Sequence, residues 1–76
     1  MTKPQITLLK RCIHNDRHCE GKHDWRLVEV GMINGVDPRT AETLVNAGLL
    51  VYDWPTWTSE ITNNHVRLPN SDEINA

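Results

Sequence analysis

The stretch Asn34-Gly35-Val36-Asp37-Pro38-Arg39-Thr40-Ala41-Glu42-Thr43-Leu44-Val45-Asn46-Ala47-Gly48 decides how the rest of the chain is read. Asp37 carries a short carboxylate of the kind that accepts from the free N–H groups at a helix start. Pro38 follows at the first helical position, where its preset φ fits and its missing N–H costs nothing. Ala41, Leu44 and Val45 then recur at helical spacing and form one apolar stripe. Gly48 stands where a left-handed residue closes a helix. These signals predict a helix from Pro38 to Ala47, preceded by a turn at Asn34-Gly35.

Upstream, Thr2-Lys3-Pro4-Gln5 has the form of a capping box with proline in the first turn. Ile6, Leu9 and Ile13 follow at helical spacing, which predicts a first helix from Pro4 to His14 or slightly beyond. Residues 15–23 are polar and include Gly21, so a loop or a frayed helix end is expected. Asp24 is read as the cap of a second helix, with Leu27, Val28 and Met32 as its apolar face, stopping near Asn34-Gly35. Downstream, Leu49-Leu50-Val51-Tyr52 is short and rich in strand formers. Asp53-Trp54-Pro55-Thr56 is turn-like, and Ile61 and His65-Val66-Arg67-Leu68 read as strand, with Asn63-Asn64 as a tight turn before the latter. The fold class expected is mainly α with a small β-hairpin. Residues 1–69 form one domain and residues 70–76 a flexible polar tail.

The segment from Leu27 to Val45 resembles the winged helix-turn-helix family. Gly31 is small where the two helices of that motif cross, Gly35 stands at its turn, Val36 plugs the angle between the helices, and Leu44 anchors the third helix. Asn46-Ala47-Gly48-Leu49-Leu50-Val51 is similar to the family's passage from recognition helix into a wing of two or three strands. Asn34 and the small Ala41 depart from the pattern, as does the long loop before the second helix. The resemblance implies a transcription-regulator type of protein whose third helix enters the major groove. By position, the residues facing DNA are Arg39, Thr40, Glu42, Thr43 and Asn46. Arg39 suits guanine and Asn46 adenine, and Arg67 or Trp57 of the wing would meet the backbone. A homodimer is implied by the need to read two half-sites.

Charge complicates that expectation. The net charge of −2 is unevenly spread. Residues 1–26 hold Lys3, Lys10, Arg11, Arg17, Lys22 and Arg26 against Asp16, Glu20 and Asp24, a balance of +3. Residues 27–76, which include the presumed reading helix, carry −5. DNA affinity comes largely from phosphate neutralisation by Lys and Arg. The basic residues of the first helix could line one flank of the DNA backbone, or be a solvated face. The alternative is a protein-interaction or inhibitor module, of the kind a bacteriophage or mobile element directs at a host protein. Trp54 and Trp57, with Glu42, would then form the contact surface, since tryptophan is enriched at binding hot spots.

Cys12, His14, His18, Cys19 and His23 fall close together. Zinc takes such ligands in tetrahedral sets, and Cys12, His18, Cys19 and His23 are its candidates. The spacing is not a standard zinc pattern, and the other reading is a buried Cys12 beside a solvated polar loop. No cofactor is otherwise expected. With 76 residues and no phosphate loop, paired-carboxylate motif or nucleophile with an orienting third group, an enzyme is not expected. No apolar run approaches the roughly 20 residues of a membrane span, and no signal peptide is visible, so the expected location is the cytoplasm.

Overall fold

The computed structural model describes residues 1–59 and 64–74. It is a small mixed domain of helices around a three-stranded antiparallel sheet. Helix α1 spans Lys3–His18 and begins with the predicted capping box. The Thr2 N–H donates to Gln5 Oε1 at 2.9 Å, and the Gln5 N–H donates to Thr2 Oγ1 at 3.4 Å. The helix runs a turn past His14 and buries Leu8 and Cys12. Glu20 and Gly21, both at positive φ, then reverse the chain.

The second helix read from the sequence does not form, and three short elements replace it. One helical turn, α2, covers His23–Arg26; strand β1 covers Val28–Glu29; a 3₁₀ turn covers Met32–Asn34. Asp24 is not a cap. It lies inside α2, whose N-cap is Lys22 without a side-chain bond. The physical reason is the alternation of Val28, Glu29 and Val30, which are buried, exposed and buried. Period two with β-branched residues suits a strand. Met32, read as apolar face, is 74% exposed. Gly31 is not at a helix crossing either. It sits in extended backbone bridged to Val36, and a Cβ there would meet only Asn34 Nδ2 at 3.6 Å.

The predicted centre holds. Helix α3 spans Pro38–Asn46, and the Arg39 N–H donates to Asp37 Oδ1 at 2.9 Å. Gly35 and Gly48 flank it in the left-handed region, at φ 73° and 78°. Strand β2 (Val51–Tyr52) and strand β3 (His65–Arg67) pair antiparallel, with Tyr52 opposite Val66. Strand β1 pairs with the other edge of β3, Val28 opposite Val66, so the sheet order is β1-β3-β2. Ile61 and Asn63, read as strand and turn, lie outside the described residues.

The core lies between α1, α3 and the sheet. Leu8 and Cys12 meet Val28, Val30, Val36, Ala41, Leu44, Leu50 and Val66, all buried. Ala41 is small because its site has no room, being fully covered. Beyond β3, where a flexible tail is expected, Ser71–Ile74 forms a helical turn, α4. Among the described residues no helix is long and apolar enough to cross a membrane.

Leu44 is 2% exposed at the centre of this cluster. Leu44→Ala should cost about 2–5 kcal/mol through lost burial and the cavity left behind. Urea unfolding should show that loss as a lower midpoint, and an unchanged midpoint would remove Leu44 from the core.

Candidate functional site

Helix α3 is held through one side only. Ala41 and Leu44 face the core, while Arg39, Glu42, Thr43 and Asn46 are exposed on the opposite side, one above another at helical spacing. This open face carries one cation, one acid, one hydroxyl and one amide. The Thr43 hydroxyl donates back to the Arg39 carbonyl at 2.9 Å, which leaves its lone pairs and methyl outward. Thr40 is half-buried and turns instead toward α1. There it lines a groove of about 440 Å³, whose opposite wall is Lys3, Thr7 and Arg11. The structure thus brings Arg39, Thr43 and Asn46 together and sets Thr40 aside.

Arg67, expected to meet DNA from the wing, is not available to a phosphate. It is 8% exposed, the one buried charged residue among those described. Its Nε donates to Asp53 Oδ2 at 2.6 Å, and its two terminal nitrogens donate to the Glu73 carboxylate at 2.7 and 3.2 Å. Asp53 also lies 2.9 Å from His23 Nε2, while His23 Nδ1 lies 2.9 Å from Asp24 Oδ1. Asp24 in turn accepts from the Thr56 N–H and hydroxyl, each at 2.8 Å. One polar network therefore ties α2, the turn after β2, β3 and α4. A second runs beside it, from Arg26 to Asp16, Asn70 and the Leu68 carbonyl.

The charges in this network set one another. A neutral imidazole has one N–H, but His23 has a carboxylate at each nitrogen, which favours the doubly protonated ring. Its pKa is raised, first by the bond to Asp24 and then by that to Asp53. Burial by itself would raise the Asp53 carboxyl; the bonds from Arg67, His23 and the Trp54 N–H outweigh it and hold the group at about 2.

The cysteines and histidines do not converge. Cys12 is fully buried in the core, and that burial pushes its thiol up to about 11 against the opposing effect of Arg11. His18 is exposed and lies against His14, with ring centroids 4.4 Å apart and the planes tilted by 39°. The Cys19 thiol donates to the Asp16 carbonyl at 3.3 Å, and His23 is committed to its two carboxylates. Among the described residues no three metal-ligating groups cluster.

The tryptophans divide. Trp57 is 77% exposed, Trp54 lies at the edge of exposure, and Trp25 carries Lys22 Nζ over its ring at 3.9 Å. Sequence reading missed two exposed apolar side chains, Met32 and Ile33, because it placed Met32 on a helix face. It also missed the His23–Asp53 contact, since the partners are thirty positions apart and no local pattern joins them. No protein-family model, curated protein or solved structure matches the chain.

The network makes stability depend on pH from two sides. Asp53 is lowered, so its contribution is present above the ordinary carboxylate pKa and is lost as pH falls toward 2. His23 is raised, so its contribution is full below about 6.5 and is lost as pH rises through the folded-state value. His23→Gln should abolish the alkaline loss, measured as the difference in urea midpoint between mildly acidic and mildly alkaline buffer; a difference equal to that of the parent chain would clear His23 of the role. Asp53→Asn should cost about 3 kcal/mol by leaving Arg67 with Glu73 as its one carboxylate partner, and thermal unfolding with no loss would show the pair to be dispensable.

Proposed function

We propose that this chain is a small winged-helix DNA-binding protein of the transcription-regulator type, in which α3 enters the major groove. The observation that carries the reading is the open face of α3. Over two turns it presents Arg39, Thr43 and Asn46 to solvent while Ala41 and Leu44 hold the helix to the core. Such a helix can enter a groove without disturbing its own packing. The order of elements also supports it: between the one-turn helices α2 and α4 run strand, turn, helix and two strands, with α1 before them and the sheet ordered β1-β3-β2. The short 3₁₀ turn stands where the family's second helix would stand, with Gly35 at the turn into α3. On this reading the protein binds rather than catalyses, acts in the cytoplasm, and pairs as a homodimer to read two half-sites.

A second reading has its own observation. Ile33 is wholly exposed, Met32 is 74% exposed and Trp57 is 77% exposed. Large apolar side chains left in water favour a protein partner, with Trp54, Trp57 and Glu42 on the contact surface. This is the host-protein inhibitor reading.

The two separate on DNA. With the preferred site selected from a random duplex pool, Arg39→Ala should weaken binding by about 1–3 kcal/mol and leave the fold intact. Equal affinities for parent and variant would mean that α3 is not the reader. Failure to select any sequence would favour the protein partner.

A further inference from the structure

Of the eight Lys and Arg residues, Arg26 and Arg67 are spent inside the domain and Lys22 lies over Trp25. Among the described residues, the cations without a carboxylate partner are Lys22, Arg39 and four on α1: Lys3, Lys10, Arg11 and Arg17, all exposed. Their spacing puts those four on one side. At about 100° per residue, Lys3, Lys10 and Arg17 follow one another seven apart, and Arg11 brings the arc to about 120°. The arc lies opposite Leu8 and Cys12, the buried side of the helix. The acid of α1, Asp16, is outside the arc and paired with Arg26. The strip is about 21 Å long at 1.5 Å per residue. Lys3 and Arg11 also line the groove whose other wall holds Asp37 and Thr40 at the start of α3.

We infer that α1, and not the wing, is the element that holds the DNA phosphates. The inference rests on the reading of α3 as the groove-entering helix and names what supplies its affinity. The wing cannot do so among the described residues, since Arg67 is neutralised by Asp53 and Glu73. Four of the acids do not compete for the strip, because Asp16, Asp24, Asp53 and Glu73 are bound within the domain. A row of four unpaired cations on a rigid helix matches a polyanion in charge and in form. The partner is duplex DNA, whose regular rows of phosphates a straight row of cations on a helix can follow.

The test is the salt dependence of binding. Four phosphate contacts predict a slope of log affinity against log salt of about −3.6, a loss of about a hundredfold between about 50 and about 200 mM salt. Fluorescence anisotropy of the full chain on a labelled random duplex of about 20 base pairs reads this slope directly. Two double variants, Lys3→Gln with Arg11→Gln and Lys10→Gln with Arg17→Gln, should each make the slope shallower by about 1.8. Gln is close to Lys and Arg as a helix former, so both variants should keep the circular dichroism and melting curve of the parent. Lys22→Gln, which removes a cation outside the strip, should keep the parent slope. If the parent binds and both double variants keep its slope and affinity, the assignment of α1 is overturned while the reading of α3 stands. If Lys22→Gln flattens the slope as much as one α1 substitution, net charge rather than the strip is responsible, and the assignment again fails. If the parent binds no duplex even at low salt, the DNA reading and the inference fall together.

Discussion

A guanidinium as buried as that of Arg67 has given up its water, and the domain is arranged to supply what the water did. Asp53 and Glu73 bring two carboxylates to it, and the Leu68 carbonyl takes a further N–H. These groups come from the turn after β2, from α4 and from the chain just beyond β3. Holding them in place fixes those segments relative to one another. Asp53 then extends the constraint through His23 to α2, and Asp24 carries it to Thr56. A domain this small has little apolar core to define its edges. Here a shared set of charges does so, with the apolar cluster of α1, α3 and the sheet behind it. Such networks stabilise only when their members are satisfied, and among the described residues no buried side-chain polar atom lacks a partner.

Local chemistry was legible in the sequence, and contacts across the chain were not. Thr2 and Gln5, Asp37 and Pro38, Gly35 and Gly48 each act on their own few neighbours, and each stands where its type predicts. Val28 and Val30 were harder to place. With Leu27 and Met32, Val28 fits a helical stripe as well as, with Val30, a strand, and the choice is made by β3, some forty residues on. The same holds for the candidate site. The exposed face of α3 follows from its own spacing, whereas the capture of Arg67 depends on Asp53 and Glu73, which no periodicity connects to it. The histidines and cysteines looked like one cluster along the sequence, but α1 turns Cys12 inward and His18 outward, and the reversal at Glu20 and Gly21 sends His23 toward Asp53.

The division of charge along the sequence becomes a division of labour in space. Of the later acids, Asp53 and Glu73 are bound to Arg67, and the cations of α1 are left facing water. A net charge of −2 therefore describes the molecule poorly, since the solvent side of α1 carries Lys3, Lys10, Arg11 and Arg17 with no acid of the helix inside their arc. The proposed reading helix carries little charge of its own, with Arg39 set against Glu42. Attraction and recognition would then be separate tasks of two helices joined at one groove, the first dependent on salt and the second on base edges.

The place of Cys12 has a consequence for the chain over time. A thiol without access to solvent and with its ionisation suppressed is protected from oxidants and alkylating agents, because the thiolate is the reactive form. It becomes reactive when α1 lifts from the sheet. The core thus contains its own clock: the pace at which Cys12 is consumed by a reagent in excess measures how often this helix leaves its bed. Cys19, half-buried at the far end of the same helix, reacts without waiting for that event.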